Sequence, residues 1–244
     1  MILDTAVSAW QWWVAGVIVA AGALIQAALG FGFALVCAPV LAVIAPQFVP
    51  VPILLSSCVL SGGVALRELR HIDVRGVVLA LLGRIPGAWL GAMALALAPR
   101  SAVELTFGAI VLAAVWMSVA GPRVARTDQT LVVAGVVSGV MGTMAAIGGP
   151  PIALVYQHEH GPRLRATLSA YFTIGSVVSL AALAWAGQFD VRQLSQAALM
   201  LPPMALGFAC GGLGRSWLDA GRTRVGVLIV AAVSGIAVIV KAVF

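Results

Sequence analysis

Charge is scarce in these 244 residues. Asp, Glu, Lys and Arg make up 9% of the chain, against about 25% in an ordinary soluble domain. Hydrophobic residues make up 62%, and the mean hydropathy is +1.10. A chain this size has too little interior to hide that much apolar surface from water. That excludes a soluble enzyme and a disordered protein. The net charge of +6 and the pI near 10.3 do not make it a nucleic-acid-binding domain. The cations lie singly or in small clusters between long apolar runs, as loop charges of a membrane protein do.

Cysteine is scarce as well. Cys37, Cys58 and Cys210 sit in apolar segments without metal-ligand spacing and read as small packing residues. No metal and no cofactor is expected. A GxxxxGK[ST] loop is missing, so the chain does not hydrolyse ATP by itself. His71, His158 and His160 all fall between apolar runs, which argues against the embedded Ser–His pair of an intramembrane protease. The start, Met1-Ile2-Leu3-Asp4, lacks a basic region, so the first apolar segment is expected to stay in the mature chain.

What the chain has instead is membrane-spanning length. About 20 helical residues cross ~30 Å of hydrocarbon. The clear crossings are Pro52–Leu66 (extended to Leu69), Gly76–Leu97, Ala102–Ala120 and Ala166–Ala186. Gln193–Leu213 and Val225–Phe244 are two more. Two stretches fit no single helix. Trp10–Pro46 is broken by Gly30-Phe31-Gly32 and by Pro39; Leu131–Gln157 is broken by Gly142 and by Gly148-Gly149-Pro150-Pro151. Each reads as two helical pieces joined by non-helical backbone, a hairpin that enters and leaves on one face. Trp10, Trp12 and Trp13 read as an interfacial aromatic anchor.

Loop charge supports the hairpins. With both counted as hairpins, ten basic residues fall on one face, in loops 67–75, 121–130, 157–165 and 214–224. Arg100, Arg192 and Lys241 fall on the other, and Arg84 stays inside the membrane. A single crossing over Leu131–Gln157 would erase this bias. Basic residues favour cytoplasmic loops, which puts both termini on the far, periplasmic side.

The chain also repeats itself at intervals of about 112–118 residues. Gly30…Pro39 matches Gly142…Pro151, and His71-Ile-Asp73-Val-Arg75 matches Gln188-Phe-Asp190-Val-Arg192. Ile85-Pro86…Gly91 matches Leu201-Pro202…Gly207, and Arg100-Ser101 matches Arg215-Ser216. The expected fold is therefore an all-α polytopic membrane protein of two inverted repeats. Each repeat is a broken-helix hairpin plus three transmembrane helices. The repeats are residues 1–121 and 131–244, with a cytoplasmic linker at 122–130. Inverted repeats with discontinuous helices are the build of secondary transporters, with the substrate near mid-membrane where the broken helices meet.

These paired Gly-rich, Pro-ended segments, Gln26-Ala-Ala-Leu-Gly-Phe-Gly-Phe…Pro39 and Ser138-Gly-Val-Met-Gly-Thr…Gly148-Gly-Pro-Pro151, resemble the sulfite exporter TauE/SafE family of membrane permeases. The resemblance covers nearly the whole chain. It implies transport of a small anion, such as sulfite or an organosulfonate, across the bacterial inner membrane. The first segment departs from the pattern, with Phe31 and Phe33 where more glycine is expected.

Anion chemistry suits these segments. A broken helix exposes unpaired N–H groups and a partial positive charge, and glycine lets backbone approach a ligand. The candidate substrate residues are Gln26, Gly30, Gly32 and Pro39 in the first segment. Those of the second are Gly142, Thr143, Gly148, Gly149, Pro150 and Pro151. The plainer reading is that such glycines only allow close helix packing. Arg84 is the one basic residue deep in an apolar run. It is either a fixed charge that attracts the anion, or it snorkels or pairs with Glu68 or Asp73. Ser56, Ser57, Ser169, Tyr171 and Thr173 are further polar candidates. His158 either carries a coupling proton or is an ordinary loop histidine. The expected function is a secondary transporter working by alternating access, an exporter of a small anion. The alternatives are an anion channel and an intramembrane enzyme. Expected partners are the anion, the lipid bilayer and a second copy in a homodimer; nucleic acid is not among them.

Overall fold

The computed structural model describes residues 7–29, 32–121, 123–213 and 220–243. Ten α-helices carry these residues, with two short 3-10 turns and no strand among them. They are α1 (Ala9–Leu29), α2 (Phe33–Ile44), α3 (Val51–Arg67), α4 (Val74–Leu97) and α5 (Arg100–Ala120). Then follow α6 (Asp128–Ala145), α7 (Gly149–Val155), α8 (Gly161–Trp185), α9 (Arg192–Leu213) and α10 (Ala220–Val243). Among the described residues, seven are long and apolar enough to cross a membrane: α1, α4, α5, α6, α8, α9 and α10. Their outward faces remain apolar, as with Leu97, Val119 and Leu206. In lipid those faces need no cover, and backbone polar groups must be satisfied within each helix. The all-α polytopic expectation holds.

Both broken stretches turn back on themselves. In the first, Gly22 of α1 packs on Phe33 and Cys37 of α2, and Gln11 Nε2 donates to the Ile44 carbonyl at 2.8 Å. In the second, Ser138 of α6 donates to the Gly148 carbonyl. Gln157 Nε2, just past α7, reaches back to the Val124 carbonyl before α6, at 3.4 Å. The places of the breaks need correction. Pro39 does not interrupt α2, which runs through it with Pro39 buried. One missing N–H is tolerated where neighbouring helices enclose the backbone. Gly142 lies within α6, and the break falls later, at Ala146–Gly148, with Ala146 left-handed at φ 60°. Pro150 and Pro151 then stand at the start of α7, where a missing N–H breaks no helical bond. Gly32 does mark the first break. It is the N-cap of α2 at φ 115°, a conformation that favours glycine.

Neighbour order fixes helix direction. Gly83, Gly87 and Gly91 of α4 lie against Val132, Val136 and Val140 of α6, so the two run parallel. A Cβ at Gly83 or Gly87 would lie 1.9 or 2.2 Å from a carbonyl oxygen of α6, so this contact admits only glycine. α8 runs with them, because Asp73 meets Thr167 while Arg84 meets Ser179. On the other side, Gly16, Ala20 and Leu24 of α1 meet Pro203, Gly207 and Gly211 of α9, again in parallel. α3 joins that set, with Ser56 at Met200 and Arg67 over the Phe208 ring. The two sets oppose each other: Cys58 meets Thr173, and Glu68 meets Arg165. Thus α1, α3 and α9 point one way and α4, α6 and α8 the other.

Exchanging α1–α5 with α6–α10 maps the main helix pairs onto one another. The pair α4–α6 becomes α9–α1, and α4–α8 becomes α9–α3. Glycine carries both contacts: Gly83 and Gly87 meet Val132 and Val136, and Gly207 and Gly211 meet Ala20 and Leu24.

Of the tryptophans near the N-terminus, Trp10 and Trp13 are exposed and Trp12 stacks edge-on to Phe48, as an interfacial anchor requires. Asp128, at the start of α6, and Asp190, ahead of α9, serve as topology markers. Cysteines placed there should react with an impermeant thiol reagent from opposite faces of sealed vesicles. Labelling of both from one face would contradict the opposed directions of the two helix sets.

Candidate functional site

Arg84 lies eleven residues into α4, about 15 Å along its axis from the start. Half of a ~30 Å hydrocarbon layer is the same distance. The side chain is 2% exposed. A guanidinium at that depth costs roughly 2.5–3.5 kcal/mol on insertion scales, so it needs partners. Three hydroxyls supply them. Nη1 donates to Ser138 Oγ at 3.0 Å and to Tyr171 Oη at 3.3 Å, and Nη2 donates to Ser179 Oγ at 3.2 Å. The Tyr171 ring also lies 5.1 Å from the guanidinium carbon, a cation–π contact. Nε is buried without a partner.

The snorkelling and pairing readings of Arg84 do not match this geometry. Glu68 pairs with Arg165, and Asp73 pairs with Arg126. The other described acids, Glu104, Asp128, Glu159 and Asp190, all stand at helix ends or in loops. No carboxylate among the described residues lies within ion-pair distance of Arg84.

The sequence candidates fall into place unevenly. Gly142 and Gly148 touch the guanidinium: a Cβ on either would lie 2.9 Å from one of its terminal nitrogens. Thr143 joins one bond further out, its Oγ1 donating to Ser179 Oγ at 2.9 Å. Gly149, Pro150 and Pro151 form the first residues of α7. Prolines at two of its first three positions leave few N–H donors there, so the backbone contributes less positive character than a broken helix normally offers. Gln26 is committed to its own break: Oε1 accepts from Phe33 N–H at 3.2 Å and Nε2 donates to Ser61 at 2.9 Å. Gly32 caps α2, and Pro39 is buried in mid-helix; neither is among the Arg84 contacts. Gly30 lies outside the described residues. His158 is exposed in the turn after α7. Of the secondary polar candidates, Tyr171 reaches Arg84, Thr173 bonds back to the Ser169 carbonyl at 2.8 Å, and Ser56 approaches Met200.

Sequence reasoning missed Gly175 and Ser179, and it passed over the hydroxyl of Ser138. A Cβ at Gly175 would lie 2.2 Å from Arg84 Nε. Tyr171, Gly175 and Ser179 follow one another at four-residue spacing, one stripe of α8. That spacing was the available signal. A stripe of α9 carries Met200, Met204 and Phe208, with Ser56 of α3 at Met200 and Arg67 over the Phe208 ring.

A second polar cluster ties the ends of the same helices. Asp73, the residue before α4, accepts from Tyr156 Oη at 2.7 Å and from Arg126. Arg126 also reaches Glu159 at 3.2 Å. A Cβ at Gly76 would overlap the Tyr156 oxygen, so glycine makes the Asp73–Tyr156 bond possible. Burial pushes the Asp73 carboxyl up, but the Tyr156 hydroxyl and the Arg126 and Arg163 charges outweigh it and hold it below its usual range. Burial and the adjacent carboxylate push the Tyr156 phenol up. Beside this latch is a cavity of about 230 Å³ lined by Arg75, Arg126, Asp128 and Leu131.

A buried cation without a carboxylate partner thus lies beside the turn between α6 and α7. The profile of the sulfite exporter TauE/SafE family matches residues 14–238. The chain belongs to the sulfite exporter TauE/SafE family. It is a multi-pass membrane transporter, not an enzyme. Within the family it is similar to the "Probable sulfite/organosulfonate exporter TauE" of Cupriavidus necator. The two are 31% identical over 211 residues, which cover 78% of this chain and 79% of the relative. No solved structure matches.

Two outcomes follow for this TauE/SafE chain. Gly175→Ala should displace the guanidinium and lower the melting temperature, because its methyl has no room beside Nε. An unchanged melting temperature would show that the two helices have slack. Asp73→Asn should lower the melting temperature by roughly 3–10 °C at neutral pH, from about 1.5–3 kcal/mol for bonds to a charged group. The sign follows from the depressed folded pKa. The contribution is complete above the ordinary carboxylate value of about 3.9 and is lost as pH falls through the lower folded value. The variant's stability should therefore be flatter than the native protein's on the acid limb, as read by thermal unfolding in detergent.

Proposed function

We propose that the chain exports a small oxyanion of the sulfite or organosulfonate type across the bacterial inner membrane by alternating access, with Arg84 as the fixed positive charge. One observation carries this reading: a guanidinium at mid-membrane depth is held by neutral hydroxyls alone. A cation kept only for structure is normally neutralised by a carboxylate. Here the hydroxyls of Ser138, Tyr171 and Ser179 hold places that an anion's oxygens would take. Gly142, Thr143 and Gly148 complete the site. Gly175 closes over Nε, so the packing described is shut, and admitting cargo requires α8 to move from α4.

The support for two inverted repeats, 1–121 and 131–244 around a linker, is the opposed direction of the two helix sets and their exchange-related pairs. Alternating access then consists of one set rocking against the other, with the Asp73–Tyr156–Arg126 latch closing the end that carries loop 121–130. We assign that end to the cytoplasm, and both termini to the periplasm, from the arginines of the loops on that face. An inside-negative potential favours anion export by ~2.3 kcal/mol per charge per 100 mV. A coupling proton on His158 and a homodimer belong to the same proposal, and no contact among the described residues bears on either.

Arg84→Gln in proteoliposomes should lower the flux of sulfite or methanesulfonate roughly 10–100-fold, the equivalent of losing about 1.5–3 kcal/mol of charge-assisted bonding. Its melting temperature should fall only modestly, since the lost bonds to three hydroxyls are offset by the removal of an unneutralised buried charge. Native-like flux would assign Arg84 to structure, and so would a parallel collapse of flux and stability.

A further inference from the structure

We propose that the Arg84 site takes its cargo as a monoanion and rejects the dianion of the same shape; the inference rests on the transport reading above. The argument is one of charge balance. The site holds one formal charge, the guanidinium of Arg84. Its other polar groups, Ser138, Thr143, Tyr171 and Ser179, are hydroxyls, and Gly142, Gly148 and Gly175 add only backbone. A singly charged oxyanion makes a neutral complex with this set. A doubly charged one leaves a net negative charge buried at mid-membrane depth, where no second cation among the described residues faces it.

The donors fit the same cargo. A guanidinium has five N–H groups. Nη1 uses two on Ser138 and Tyr171, and Nη2 uses one on Ser179. The unpartnered Nε–H and one N–H of Nη2 remain, and Nε comes free when α8, whose Gly175 covers it, moves from α4. Two donors are what a bidentate oxyanion contact uses. Ser138 already donates to the Gly148 carbonyl, so Tyr171 and Ser179 are the hydroxyls whose hydrogens can turn to the anion, and they do so without adding charge.

Charged groups on the packed elements do not alter the balance. On α4 the other cation is Arg75, nine residues earlier; on α6 the one acid is Asp128, at its start; on α8 Arg163 and Arg165 lie in the first turn. α7 carries none. The titratable group facing Arg84 directly is the Tyr171 phenol.

The test uses the full chain in liposomes with three labelled anions. Methanesulfonate carries one charge at every working pH, sulfate carries two, and sulfite passes from one to two near neutrality. Flux through Arg84→Gln vesicles is subtracted, which removes passive leak. Sulfite flux should fall roughly tenfold from one unit below to one unit above its second ionisation, the change in the monoanion's share. Methanesulfonate flux should stay level, and sulfate flux should stay at background. A flat or rising sulfite profile beside level methanesulfonate would overturn the inference and leave the transporter intact. Sulfate carried as fast as methanesulfonate would do the same. A pH trend shared by methanesulfonate assigns the titration to the protein and overturns it too. Background flux of all three anions would overturn the transport reading itself.

Discussion

A guanidinium cannot rest in hydrocarbon without something to bond, and the centre of this molecule is arranged around that constraint. Arg84 enters from α4, yet every hydrogen bond it makes is to another helix: Ser138 on α6, and Tyr171 and Ser179 on α8. The charge therefore binds three helices together. Its cost is met by neutral oxygens that satisfy hydrogen-bonding capacity without cancelling charge. A carboxylate would neutralise it more completely and would also leave nothing for an anion to bind.

Glycine makes this arrangement geometrically possible. The hydroxyls of α6 reach Arg84 because Gly83 and Gly87 let α4 and α6 touch backbone to backbone. Gly175 and Gly148 then leave the space the guanidinium occupies. The same residues that lower helix propensity in water cost little here, since lipid offers the backbone no competing partner and small residues gain dispersion contact. Close approach buries the guanidinium among the three helices, away from solvent.

How much of this was legible follows from what each signal measures. Apolar length located α4, α5, α8, α9 and α10, because crossing ~30 Å is a property of composition alone, but it took α3, a 17-residue helix, for a clear crossing. Gly32 and the Gly148–Pro151 run marked real turns. Pro39 and Gly142 did not, since in a membrane neighbouring helices stabilise a Pro or Gly that water would expose. Arg84 stood out because charge is rare in such runs. Its partners were hidden because Ser and Thr are common in membrane helices for other reasons. The Asp73–Tyr156 bond joins residues 83 positions apart, a pairing no local pattern records.

The asymmetry of the two halves then has a physical consequence. The two hairpins meet different faces: α6–α7 meets Arg84, while α1 packs on Pro203, Gly207 and Gly211 of α9. At the first break the closing group is Gln26. Its amide turns inward, bonding Phe33 N–H and Ser61, and satisfies the break from within. On the second side Ser138 performs the matching task for Gly148 and still offers its oxygen to Arg84. One half thus holds its break closed with its own groups, and the other holds it through a hydroxyl shared with a buried charge. A second buried cation at the first break would add mutual repulsion and a second burial cost.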